Sequence, residues 1–411
     1  MDRDPRRAAA ISVPFRLPRH TTPHRRMRLP TLFACTALLA APAFAQKGGS
    51  DKIIKKNGEA RPGVEVIELK TTGVKFRKEN PKDKSKPIEE ELPAHQLLAI
   101  EWGDLPDAYI SARSAFDRGD AAGAAQLFGE AERQATRPLL KVDAAFFQIK
   151  AAVGAAGTDQ NAAATAADKA VAWLTANANH WRTPEALLLA GRAQRLAGKF
   201  ADAATTLKDL DSRASSEQFG PVWSARAKFE AAQALLDSGK PDEARIAFQA
   251  ASSAADTALA AAGSKSPDAP ELNGIKIQAK VGEGETYLGE KQWSKAETFF
   301  NGLARGDQAE LVAAGRAGEG EAIFLAAAEQ KNLDGIRRAQ VVLATASVFD
   351  ALGGEAAAKA NFYLGKCVQM LGADREGDGW KARATNYFQI VVSSYPTSRW
   401  AGNARTELAA K

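Results

Sequence analysis

One pattern recurs along the chain and limits what it can fold into. An alanine is followed by a bulky apolar residue four positions on and another apolar residue at seven. It occurs as Ala124–Phe128–Ala131, Ala203–Leu207–Leu210, Ala244–Phe248–Ala251, Ala296–Phe300–Leu303 and Ala384–Phe388–Val391, with weaker versions starting at Ala166 and Ala339. Twelve residues before four of these alanines stands another small residue: Ala112, Gly191, Ala232 and Gly284. Three- and four-residue spacings put side chains on one helix face. A small residue on one helix opposite a large one on the next sets how closely the two cross. The clearest copy is Val281–Leu303, where Gly284 and Ala296 permit close approach and Tyr287, Trp293 and Phe300 fill the wedge beside them.

From Asp104 onward Ala, Leu, Glu, Lys, Arg and Gln dominate, all good helix formers. Short breaks at Arg118-Gly119-Asp120, Gly157-Thr158-Asp159, Gly198-Lys199, Ser238–Pro241, Gly289–Lys291 and Gly372–Asp374 divide the segment into antiparallel helices. The pattern predicts about seven helical hairpins over 104–411. From Ala124 to Ala384 the six steps average about 43 residues. Repeat six is stretched at Asn332–Gly335 and repeat seven at Ala373–Gly379.

These residues resemble the tetratricopeptide repeat (TPR). Leu187, Gly191, Phe200, Ala203, Leu207 and Leu210 fall at that family's signature positions, as do Gly284, Tyr287, Trp293, Ala296, Phe300 and Leu303, and Ala384, Phe388, Val391 and the closing Pro396. The segment Tyr395–Ser398, followed by Trp400-Ala401 and Ala404-Arg405, is similar to helical-repeat proteins of bacterial envelopes, among them outer-membrane assembly lipoproteins and the TolA-binding periplasmic protein. The resemblance covers about three quarters of the chain and implies a mainly α solenoid. The period departs from the usual ~34 residues and approaches the ~40–47 of HEAT-like arrays; the alanine–aromatic signature favours the TPR-like reading.

Residues 46–103 have another texture. Val64–Leu69 and Gly73–Phe76 alternate apolar and polar residues, Asn57-Gly58 is a hairpin signal after Ile53-Ile54, and Ile88–Leu92 and Leu97–Trp102 supply further strands. This β-barrel-like segment or strongly bent sheet resembles the SH3-like or Sm-like barrels placed before helical repeats in secreted bacterial proteins. It reads either as a cap on the first repeat or as a contact module for peptidoglycan or protein. The lysines of Lys70–Lys86 are balanced by Glu79, Asp83 and Glu89–Glu91, as in a solvated surface.

The net charge of +6 says little about partners. Residues 1–45 carry eight arginines and two aspartates, the whole excess, leaving 47 basic against 47 acidic residues. A nucleic-acid partner is therefore not expected. Arg25, Arg26 and Arg28 before the apolar run Leu32–Ala41, and Ala43-Phe44-Ala45 before Gln46, read as a secretory signal, with Met27 an alternative start. The expected location is the periplasm. Cys35 precedes most of the apolar run, which argues against a lipid anchor there. No other apolar stretch reaches the ~20 residues that span a bilayer.

The chemistry-bearing inventory is thin. After the leader remain His95, His180 and Cys367, too few for a His/Cys zinc site. Each histidine reads as a surface or capping residue, and Cys367, among Phe362, Tyr363, Leu364 and Val368, as a buried inert thiol. Gly315–Gly320 lacks the spacing of a phosphate loop and reads as helix packing. Glu283 and Glu285 point apart on a helix and make a poor acid–base pair. No cofactor or enzymatic activity is expected.

What remains is surface. In TPR proteins the first helix of each pair lines the concave groove. The resemblance then places Tyr109, Arg113, Phe116, Arg192, Arg195, Phe229, Gln233, Glu285, Phe362 and Lys366 there, of which Phe229 and Phe362 read best as core. Arg113, Arg192 and Lys366 share one equivalent position. The candidate partner-binding residues are Tyr109, Arg113, Arg192, Arg195 and Lys366, a row suited to an acidic or extended peptide. Solvated charge and inter-repeat packing are the competing account of the same row. The functional expectation is a secreted protein–protein scaffold, with binding through the β segment as the alternative.

Overall fold

The computed structural model describes residues 49–410 apart from Thr158, Gln218, 350–353, 374–377 and Thr397. The leader at 1–45, with Cys35 and Met27, lies outside the described residues.

Five strands open the described chain: β1 (Asp51–Lys55), β2 (Ala60–Leu69), β3 (Gly73–Lys78), β4 (Ile88–Pro93) and β5 (Leu97–Glu101). All neighbours run antiparallel in the order β4-β3-β2-β1-β5, so β4 and β5 stand at the ends. A 3-10 turn, Ala94–Gln96, joins those two strands. The Asn57-Gly58 turn links β1 to β2, with Gly58 N–H on the Lys55 carbonyl at 2.9 Å. Alternation buries Ile53, Val64, Val66, Val74, Phe76, Leu92 and Ile100 on one face. The other face is charged, with Arg77 meeting Glu89, while Arg61, Lys78 and Glu90 cluster on the same side as Phe76, where Arg61 lies over its ring.

Fifteen helices follow among the described residues. They pair as α1 (Asp107–Asp117) with α2 (Ala121–Gln134), α3 (Pro138–Ala156) with α4 (Gln160–Ala176), and α5 (Thr183–Leu196) with α6 (Phe200–Ser216). Next come α7 (Pro221–Asp237) with α8 (Pro241–Ala262), α9 (Ala269–Gly289) with α10 (Trp293–Leu303), and α11 (Ala309–Glu329) with α12 (Leu333–Phe349). The last pair is α13 (Glu355–Gly372) with α14 (Asp378–Ser394), and α15 (Arg399–Ala409) closes the chain. Seven hairpins and a final helix make an α-solenoid. No helix among the described residues is long and apolar enough to cross a membrane.

Five hairpins close with the same turn. At Gly119, Gly198 and Gly239 the residue after the helix has φ between 75° and 83°, and at Lys291 and Lys331 φ is 56° and 53°. In each case its N–H bonds back three residues and the following N–H bonds back five, as Gly119 to Phe116 and Asp120 to Ala115, or Lys291 to Leu288 and Gln292 to Tyr287. This is the Schellman closure, and it satisfies carbonyls the helix end would otherwise leave open. Starts are set by proline in the first turn of α3, α5, α7, α8 and α9, and by the side chains of Asp120, Asp159 and Ser398 capping α2, α4 and α15.

The repeating alanines and phenylalanines interlock as the spacing requires. Ala124, Ala203, Ala244 and Ala296 are buried, as are Phe128, Leu207, Phe248 and Phe300. A Cβ built on Gly284 would lie 2.5 Å from the Phe300 ring, and one on Gly318 of the next hairpin would lie closer still. Phe300 thus sits in a slot floored by a glycine on each side. Gly282 and Phe248, Gly320 and Leu343, and Gly365 and Phe388 repeat the arrangement. The run Gly315–Gly320 is mid-helix in α11. Gly315 admits the backbone of α10 at Ala304, and Gly318 and Gly320 admit large side chains, so the run serves packing.

The sheet does not have a core of its own. Its buried face, Trp102, and the buried residues of α1 to α5 form one continuous hydrophobic cluster. Asp51, 1% exposed, fixes the junction. It accepts N–H bonds from Val66 (2.8 Å) and Gly103 (3.0 Å) and a two-pronged pair from Arg137, which lies over the Trp102 ring. Further along, Thr71 N–H bonds the Asn179 carbonyl, and Lys56 pairs at 3.0 Å with Asp268 at the start of α9.

Candidate partner-binding face

From α3 on, each first helix packs on the next first helix: α3 on α5, then α7, α9, α11, α13 and α15. The second helices do not approach one another as closely, so the first helices line the inner side of the array.

The candidate residues lie on the first helices, and each meets a side chain of the next first helix. Arg113 places its guanidinium 4.9 Å over the Phe147 ring of α3. Arg192 donates from Nε to Glu230 of α7 at 2.8 Å. Arg195 pairs with Glu230 and Asp237, also on α7. Lys366 donates to Glu407 of α15 at 2.9 Å. The shared position of Arg113, Arg192 and Lys366 is therefore an inter-hairpin clamp: each reaches from one first helix to the next. Lys150 to Glu185 and Arg226 to Glu271 extend the ladder. Glu230 is buried, which works to raise its carboxyl; the charges of Arg192 and then Arg195 outweigh that and hold it below the usual carboxylate range. The side chain of Arg192 is still 41% exposed, so one side of the row faces solvent.

Some of the expected groove residues are not at the surface. Tyr109 is only 5% exposed, because its ring stands edge-on to Phe128 and its hydroxyl donates to Asp143 at 2.8 Å. Burial, then the Asp143 charge, push its phenol well up. Phe362 is buried against Tyr363, Phe388 and Trp400, and Phe229 is half-buried on Phe248. His95 is exposed. His180 is not a surface residue: it is 7% exposed, edge-on to Trp173, and its Nδ1 accepts the Arg182 N–H at 3.2 Å. Burial, and secondarily the Arg182 charge, lower its pKa to about 3. Cys367 is buried and its thiol is pushed up to about 12, an inert state.

Two buried polar knots dominate the inner side. In the first, Asp143 accepts from Trp102 Nε1 (2.9 Å), Tyr109 Oη (2.8 Å) and Arg182 Nε (2.7 Å), while Arg182 stacks among Phe146, Phe147 and Trp181. In the second, Lys359 lies between Glu321 (2.7 Å) and Glu285 (3.1 Å), Tyr363 donates to Glu321, and Arg399 caps Glu285. Burial works to raise the Glu285 carboxyl, but Arg399 and then Lys359 hold it down to about 2. Glu283, two residues away, takes a separate partner, Gln249 at 2.7 Å. Among the described residues no group of three His, Cys, Asp or Glu side chains is placed to hold a metal.

The knots were not singled out in the sequence. The available signal was an isolated charge inside an apolar helix: Asp143 in VDAAFF and Lys359 in AAAKANFYL.

The hairpins, the Gly–Phe interlock and the row of first helices define a TPR-like helical-repeat protein. The sequence matches no family model and no curated protein. Three similar solved structures are a Rap protein complexed with competence and sporulation factor, the apo form of the quorum sensor NprR from B. thuringiensis, and the C-terminal part of a TPR repeat-containing protein from Cytophaga hutchinsonii. Rap is 14% identical with a TM-score of 0.38, over 70% of this chain and 75% of that one. NprR is 9% identical with a TM-score of 0.40, over 69% and 75%. The Cytophaga protein is 12% identical with a TM-score of 0.34, over 72% and 98%.

Proposed function

We propose that this chain is a non-enzymatic scaffold of the bacterial cell envelope that binds a peptide or protein partner on the face lined by its first helices. The observation that carries this reading is the unbroken succession of first helices from α3 to α15, an extended surface of the kind repeat proteins use for binding without a deep pocket. The leader pattern in the sequence supports secretion to the periplasm, and the lack of a catalytic motif in the sequence supports a binding role. Arg192, half turned to solvent at the centre of the row, is the first contact we assign, with Arg113, Arg195 and Lys366 beside it.

The test is affinity capture from envelope extracts, using the mature chain and an Arg113→Gln/Arg192→Gln/Lys366→Gln variant whose helicity is checked by circular dichroism. Enrichment of a partner by the parent chain, lost in the folded variant, supports the reading. Equal enrichment by both removes the face from the account. The alternative, a cell-wall component binding through the sheet, draws on the charged outer face of β2 to β4. Cosedimentation of the full chain with peptidoglycan, abolished by substitutions at Lys75 and Arg77 on that face, distinguishes it.

A further inference from the structure

Arg399 is the exposed member of an otherwise enclosed ion-pair knot. Its partner Glu285 lies 114 residues earlier, on α9, and is enclosed. The Arg399 side chain itself is 53% exposed. The remaining members of the knot, Glu285, Glu321 and Lys359, are each at most 10% exposed in their side chains. Two enclosed carboxylates thus face one enclosed ammonium, and the balancing positive charge comes from Arg399, the one member of the knot with a half-exposed side chain.

The seat it fills has the shape a guanidinium needs. Both Glu285 oxygens meet the Arg399 fork, and the Trp400 ring lies under it, 5.0 Å from the guanidinium carbon to the ring centroid. A two-pronged carboxylate with an aromatic plane beside it favours arginine over lysine. Trp400 is a fixed platform, buried on Phe362 and Tyr363.

We propose that Glu285 and Trp400 form an arginine-binding site on the first-helix face, filled in cis by Arg399, and that its ligand is a peptide segment bearing an arginine. This rests on the reading of that face as a peptide scaffold and adds the chemistry of one contact. Arg399 then acts as a tethered competitor that keeps the site closed to weak ligands.

The test titrates the full-length mature chain and its Arg399→Ala variant with a fluorescein-labelled five-residue peptide carrying one central arginine, and with the same peptide carrying citrulline. The expected result is at least about tenfold tighter binding of the arginine peptide by Arg399→Ala, no gain for the citrulline peptide, and loss of the gain on adding Glu285→Gln. No gain in Arg399→Ala, or a gain that survives Glu285→Gln or citrulline, overturns the proposal. If Arg399→Ala does not fold, the parent chain with 15N-arginine serves: excess arginine peptide must shift the Arg399 Nε resonance, and an unmoved resonance overturns it. Partner capture that depends on Arg192 while the peptide experiments fail would sink this site alone and leave the scaffold reading standing.

Discussion

Gly318→Ala is a sharp test of the repeat interlock, because helix propensity and packing predict opposite signs. Gly318 lies inside α11, where alanine in place of glycine ordinarily stabilises a helix by about 0.5–1 kcal/mol. Here the new methyl would stand even closer to the Phe300 ring than one on Gly284 would, well inside contact distance. The ring cannot retreat, because Gly284 on its own hairpin already bounds it. Overpacking of this kind costs about 1–3 kcal/mol, so the net effect is a destabilisation of about 0–2.5 kcal/mol. A second change separates the terms: Phe300→Leu narrows the side chain in the slot, so Gly318→Ala introduced on that background should lose most of its penalty. Urea unfolding followed by circular dichroism gives the four corners of the cycle, and hydrogen exchange in α10 and α11 localises the effect. A stabilised Gly318→Ala protein, or an equal penalty with and without Phe300→Leu, would refute the interlock as drawn.

Four other outcomes are expected. Asp51→Ala leaves Arg137 and two backbone N–H groups without their carboxylate, and should cost about 3–5 kcal/mol in a urea melt, with early proteolysis in the sheet. Lys291→Gly relieves a left-handed turn residue and should raise stability by about 0.5–1 kcal/mol in the same measurement. His180 folds neutral with a pKa of about 3 against an unfolded value near 6.5, so unfolding takes up a proton between those limits. Stability should fall by about 1.4 kcal/mol per pH unit as pH drops from about 6, and a His180→Gln protein followed by pH-dependent melts should lack that slope. Glu185 and Glu285 act in a lower window. Their folded carboxyls titrate at about 2. Their stabilising contribution is complete above the unfolded pKa of about 4.3 and is lost as pH falls toward 2, so Glu285→Gln should flatten the acid limb of a pH–stability curve.

Much of the architecture was legible because it is written in local spacing. The small residue twelve before the repeating alanine, and the large one four after it, are within one hairpin, so the Gly284–Phe300 contact could be read directly. The strands and the Asn57-Gly58 turn were equally local. The face itself was only half legible. Position counting places Arg113, Arg192 and Lys366 at one equivalent position, but what faces them comes from the next hairpin, about forty residues on, and counting within a repeat does not reveal it. Tyr109 was misplaced because an aromatic with a hydroxyl suits a groove and a core equally well; Asp143 on the neighbouring helix decided for the core. Glu285 and Arg399 were the least accessible, since their pairing depends on how α9, α11, α13 and α15 wind around one another.

The contacts at the two ends of the chain have a consequence for how such a protein can change over generations. Open arrays can lengthen or shorten by whole repeats, since each unit leans only on its neighbours. Here Lys56 of the first hairpin turn reaches Asp268 at the start of α9, and Arg399 of the last helix reaches Glu285 farther along the same helix. A hairpin duplicated or deleted on either side of α9 would carry one of these partners out of reach. A change in repeat number on either side of α9 would therefore forfeit one of these contacts, a cost that an array joined only through neighbours does not carry.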